Sequence, residues 1–146
     1  MTDARLTTHS GLTTDAPPMP AGSTAVDSVP LRRLAHGRTG DKGNRSCISL
    51  IAYRDEFWPL LLDQVTEAAV AHHFGFRRPT KTTRYLLPKL GAMNFVIDDV
   101  LDGGVNDALN LDSHGKSLSF LLLDMPIRVP QGLQTLLAGG TASDQP

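Results

Sequence analysis

Thirteen consecutive residues, Leu34-Ala35-His36-Gly37-Arg38-Thr39-Gly40-Asp41-Lys42-Gly43-Asn44-Arg45-Ser46, concentrate several side chains that could do chemistry. They gather three glycines, four cationic or imidazole groups, one carboxylate and three small hydrogen-bonding side chains. Glycine lets a backbone turn at positive φ and approach a ligand closely. Successive N–H groups in such a turn can cradle an anion, and arginine and lysine add charge. The stretch therefore reads as a polar loop in which His36, Arg38, Lys42 and Asn44 hold a carboxylate or phosphate, with Gly40 and Gly43 giving room. It is not a Walker loop, because Lys42 lacks the preceding glycine and the following Ser or Thr. The plainer alternative is a solvated hairpin loop in which Asp41 pairs with Arg38 or Lys42.

A second cluster is Asp112-Ser113-His114-Gly115-Lys116. Histidine suits general acid–base work near neutral pH, and Lys116 or the N–H groups of a helix start could hold an anion. Capping by Asp112 or Ser113 explains the same residues without any chemistry. Asn94 lies among apolar residues, where a polar side chain must be hydrogen-bonded if buried; it either orients a substrate carbonyl or pins a turn. His72 and His73 are adjacent, so they face different ways on a helix and suit its C-terminal end. Cys47 opens a strand and reads as a structural thiol. Asp98, Asp99 and Asp102 lack an EF-hand spacing and read as a solvated strand end. Arg77, Arg78 and Lys81 form a basic connector that is solvated or meets phosphates. No metal site or cofactor is expected.

These residues need mounts. Val29–Ala35 reads as a first short strand and Cys47–Tyr53 as the strongest one. Pro59 fits only the first turn of a helix, so a helix is expected from near Trp58 to Gly75, with Phe57, Leu61, Val65, Ala68 and His72 on its apolar face. Thr82–Leu87 alternates as a strand that Pro88 ends, and Lys89–Ala92 is a turn. Asn94–Ile97 forms a further strand, followed by the turn signal Asp102-Gly103-Gly104. A short strand over Asn106–Leu111 is optional. The segment up to Leu122 favours a helix over a strand, although Leu118, Phe120 and Leu122 also alternate. Met125–Val129 closes the order, with Pro126 at an edge or a strand start. Without the first strand and the optional one, the order is β-α-β-β-α-β, the ferredoxin-like α+β pattern with a mainly antiparallel sheet and an extra N-terminal strand. Two helices would cover one sheet face and leave the other for the tails, a second copy or a partner.

Composition bounds the rest. The 146 residues fit one domain. Residues 1–28 and 131–146 are poor in large apolar residues and read as tails, leaving 29–130 as the folded domain. A net charge of −1 with few aromatics gives no basis for nucleic-acid binding. No segment approaches a membrane span, and no basic-then-apolar signal opens the chain. The single cysteine excludes an internal disulfide framework and makes a reduced, cytoplasmic setting the default.

The glycine-rich stretch resembles the AH-x-R-[ST]-G-D-K-G-[DN] signature of the AtuA-like ferredoxin-fold domain. The likeness continues through Tyr85-Leu86-Leu87-Pro88-Lys89-Leu90-Gly91-Ala92-Met93-Asn94-Phe95-Val96, Gly103-Gly104-Val105 and Leu111-Asp112-Ser113-His114-Gly115-Lys116-Ser117-Leu118. That domain forms the C-terminal part of acyclic terpene utilisation AtuA proteins and also occurs as a separate small protein. The resemblance implies a ferredoxin-like fold and a place beside an AtuA-type large subunit, in catabolism of branched or terpenoid acids as coenzyme A thioesters. On that basis the chain is expected to help bind an acyl-CoA or hydroxy-acid substrate for a hydratase- or lyase-type step. His36, Arg38, Lys42, Gly43, Asn44, Asn94 and Lys116 would contact the small anionic ligand, and Asp41 and His114 would be the acid–base pair. The competing expectation is a non-catalytic assembly module that forms a homo-oligomer or covers a larger partner.

Overall fold

A computed structural model describes residues 26–103 and 115–138. Its centre is a hairpin. Strand β2 (Ala35–Lys42) pairs antiparallel with β3 (Arg45–Ala52) through eight residue pairs, from Ala35 opposite Ala52 to Lys42 opposite Arg45. The two-residue turn between them has Gly43 at φ +61°, the first central position, where a type II′ hairpin takes glycine. The expected glycine-rich loop is therefore a strand, and only Gly43 and Asn44 turn. Cross-strand pairing overrides the poor strand propensity of Gly37 and Gly40. Gly37 has a packing role besides: a Cβ there would lie 3.2 Å from the Ser49 carbonyl oxygen and 3.6 Å from Ser119 Cβ.

β3 also pairs with β5 (Ala92–Asp98), and β5 with β4 (Lys81–Leu87), giving a four-stranded antiparallel sheet in the order β2-β3-β5-β4. β3 and β4 run the same way on either side of β5, which is the split β-α-β of a ferredoxin-like fold. The expected final strand, β6 (Pro126–Val129), does not join this sheet. It pairs with β1 (Asp27–Pro30) in a separate two-stranded sheet, and β2 takes the place beside β3. The extra N-terminal strand expected over Val29–Ala35 is thus divided: β1 ends at Pro30, a 3-10 turn spans Leu31–Arg33, and Ala35 already belongs to β2.

The single helix expected from Trp58 is two. Helix α1 (Trp58–Gln64) stops at Val65, which adopts φ −92° and ψ 67°. Thr66 then caps α2 (Glu67–His73), its hydroxyl accepting from the Ala69 N–H at 3.1 Å. The break changes the buried phase. Phe57, Leu61 and Val65 are fully buried as expected, but the series resumes at Val70 and Phe74 while Ala68 and His72 stay exposed. Arg84 of β4 donates to the Leu62 and Val65 carbonyls, satisfying the end of α1. The favoured helix after Lys116 is present as α3 (Leu118–Leu123). Its N-terminal flanking residue is Ser117, with no side-chain cap. The expected caps Asp112 and Ser113, the optional strand over 106–111, Gly104 and His114 lie outside the described residues.

The helices lie on one side of the main sheet. Ile48, Leu50, Met93, Phe95 and Ile97 point into the core beneath them, and the residues between, Cys47, Ser49, Asn94 and Val96, are only half-buried on the other side. Regular structure also lies on either side of residues 29–130. Asp27 and Ser28 belong to β1, and α4 (Gln131–Gln134) leads to a buried Leu137 and to an Ala138 N–H bonded to the Arg33 carbonyl. None of the described helices is long and apolar enough to cross a membrane.

Candidate functional site

Strand alternation decides which residues of the glycine-rich stretch can act together. Successive side chains of a strand face opposite sides of the sheet. Thr39 of β2 is buried on the helical side, so Gly37 and Asp41 share that side, and His36, Arg38, Gly40 and Lys42 face away from the helices. The register then extends each position across the sheet. Arg38 is opposite Ser49, Ser49 opposite Asn94, and Asn94 opposite Tyr85. The Ser49 hydroxyl donates to Asn94 Oδ1 at 3.1 Å, which fixes the amide and leaves its NH2 end for another acceptor. One row along, His36 is opposite Ile51, and its ring lies 5.5 Å from that of Tyr53.

Arg38 and Lys42 are exposed, and among the described residues neither has a carboxylate partner. Arg45 differs: it donates to Asp98, and that hydrogen bond and charge push its pKa up, so it stays cationic. The open face therefore presents an unpaired guanidinium, a hydroxyl–amide pair, an imidazole and two phenols on a rigid sheet. Such a surface can accept a carboxylate or phosphate through Arg38, with Asn94 and Tyr85 as further donors. Ser49, Tyr53 and Tyr85 were not singled out from sequence. Recognising Gly43-Asn44 as a two-residue hairpin turn would have fixed the β2–β3 register and with it Ser49.

The other expected site residues serve the opposite side or the turn. Asp41 accepts from Lys116 Nζ at 2.7 Å, with its side chain 16% exposed. It pairs with neither Arg38 nor Lys42 in the described contacts. Next to it the Thr39 hydroxyl accepts from the Ser119 N–H at 2.8 Å, so β2 holds the start of α3 at two points. The two polar motifs of the sequence thus meet at Asp41 and Lys116, across the sheet from Arg38. Gly43 supplies the turn. Asn44 is engaged in structure: Oδ1 accepts from the Leu101 and Gly103 N–H groups at 2.9 and 3.2 Å, and Nδ2 donates to Asp99 at 3.0 Å. Its carbonyl accepts from Val100. The expected solvated strand end is instead a knot, with Asp99 and Asp102 at φ 59° and 52°, Thr80 donating to Asp99, and Arg77 bonded to Asp102 at 2.6 Å. Among the described residues no group of three or more His, Cys, Asp or Glu side chains could hold a metal ion.

No curated protein and no solved structure matches the chain. A family profile does, over residues 29–128, which span β1 to β6 and include both polar motifs. The chain belongs to the AtuA ferredoxin-like domain family.

Proposed function

We propose that the domain is the small subunit, or separated C-terminal domain, of an AtuA-type catabolic enzyme, and that its open sheet face forms one wall of the substrate site. The ligand is an acyl-CoA or hydroxy acid, and Arg38 binds its anionic group, assisted by Asn94 and His36. Lys42 adds charge at the far end of β2. The step it supports is of hydratase or lyase type, completed by groups on the larger partner. The observation that carries this reading is the row Arg38, Ser49, Asn94 and Tyr85 across three adjoining strand pairs. Strand alternation argues against Asp41 as acid–base partner on the same ligand, because the sheet stands between it and Arg38. Asp41 is better placed as the residue that positions Lys116.

The test is a substrate titration of the chain purified together with its larger partner. Arg38→Ala should weaken binding by about tenfold or more, the scale of a lost charge-assisted hydrogen bond, with an unchanged unfolding midpoint. Unaltered affinity would remove the face from the site. The second reading, an assembly module without a ligand, draws on the apolar end of the same face. Tyr53, Tyr85 and Leu87 are 48%, 57% and 46% exposed there, and Leu90 in the turn after β4 is 70% exposed. On that reading Arg38→Ala leaves ligand affinity intact, and Leu87→Asp prevents association.

A further inference from the structure

The helical side of the molecule carries a cleft of its own. It is about 550 Å3 in volume and lies between α1, α2 and β6, lined by Asp63, Gln64, His72, His73, Met125 and Arg128 among others. The size is that of a small-molecule site. It is separate from the open face, because α1 is tied by Arg84 to the side of the sheet that faces the helices.

Three features make it more than a surface dip. First, the backbone of the exposed Arg128 is held in place. The Gln64 side chain bonds both backbone groups of Arg128, donating to its carbonyl and accepting from its N–H, each at 2.8 Å. A side-chain amide here completes the free edge of β6 and fixes the residue against α1. Second, no described residue pairs with the Arg128 guanidinium, although Asp63 lines the same cleft. Third, His73 is pinned: its Nε2 lies 2.7 Å from the Leu121 carbonyl, which can only accept, so this nitrogen carries the hydrogen. The lining also includes the apolar Met125, Ala69 and Pro126. An unpaired guanidinium and the His72 imidazole in one cleft with apolar side chains suit one ligand chemistry.

We infer that this cleft binds a compact organic anion, a carboxylate or phosphate monoester with a short apolar body, whose charged oxygens meet Arg128 and His72. The apolar body lies on Met125. The site stands independently of the open face.

The test is amide NMR of the full chain titrated with butyrate, butyl phosphate and inorganic phosphate. The expected result is saturable shifts clustered on α1, α2 and β6 with one of the butyl compounds, tighter than with inorganic phosphate. Which butyl compound binds tells carboxylate from phosphate. Arg128→Met should weaken this binding by about tenfold or more and leave the fold intact, since Gln64 holds only the backbone of residue 128. His72→Gln, on an exposed helix end, should weaken it less, and Arg38→Ala should leave it unchanged. Absence of shifts at millimolar probe, shifts confined to the open face, or Arg128→Met binding as wild type would each overturn the inference.

Discussion

Asn44 illustrates how one side chain can be mistaken for a ligand contact when it is a structural clamp. Within the glycine-rich stretch it looks like a donor for an anion, but its amide already serves the Leu101 and Gly103 N–H groups and Asp99. Asn44→Ala strands those partners, and each unmade bond at a partly buried turn costs about 1 kcal/mol. The expected loss is about 2–3 kcal/mol, read as a lower denaturant midpoint; an unchanged midpoint would refute the clamp. Arg38 is the opposite case. It is exposed and holds no described partner, so its removal should leave stability within about 0.5 kcal/mol of wild type. Its effect belongs to binding. Sequence composition brought both residues to attention and could not separate them, because the difference lies in what the chain brings back from more than fifty residues away.

At the scale of elements, the hidden information was register and interruption. The strands from Arg45, Lys81 and Ala92 are legible because alternation and apolar content agree there, whereas in the helix after Ser117 the alternation of Leu118, Phe120 and Leu122 argues for a strand instead. The strand at Ala35–Lys42 was not, because its polar and glycine content says loop until β3 pairs with it. The break at Val65–Thr66 was equally hidden, since the apolar period continues through it and only the cap of Thr66 marks a new start. Thr66→Ala should cost about 1 kcal/mol, and Thr66→Ser far less, in the same unfolding measurement. Gly115 offers a sharper check on how α3 is seated. It adopts φ +62°, and a Cβ would come within 2.4 Å of Leu101 Cδ2 and 2.9 Å of Leu118 Cδ1. Gly115→Ala combines left-handed strain with overpacking and should cost about 2–4 kcal/mol. A neutral result would mean that the turn before α3 is not held against Leu101.

For the whole molecule, the main consequence is two-sidedness. Of the two polar motifs the first lies on β2, and strand alternation splits it between the faces. His36, Arg38 and Lys42 are displayed outward, while Asp41 binds Lys116 beneath. The ferredoxin-like order was legible in sequence, but the departure of β6 to pair with β1 was not, because nothing local distinguishes a strand that joins one sheet from one that joins another. What results is a sheet with helices behind it and, among the described residues, nothing in front of it. A cationic and amide row beside exposed tyrosines and leucines is a surface suited to closing on an anionic ligand against a larger subunit. The most direct test is an equilibrium titration of a coenzyme A thioester into the chain purified with the proposed larger subunit, comparing Arg38→Ala with Asp41→Asn. The open-face account predicts affinity lost with Arg38→Ala and kept with Asp41→Asn. Binding that survives Arg38→Ala and disappears with Asp41→Asn would contradict it and move the site behind the sheet.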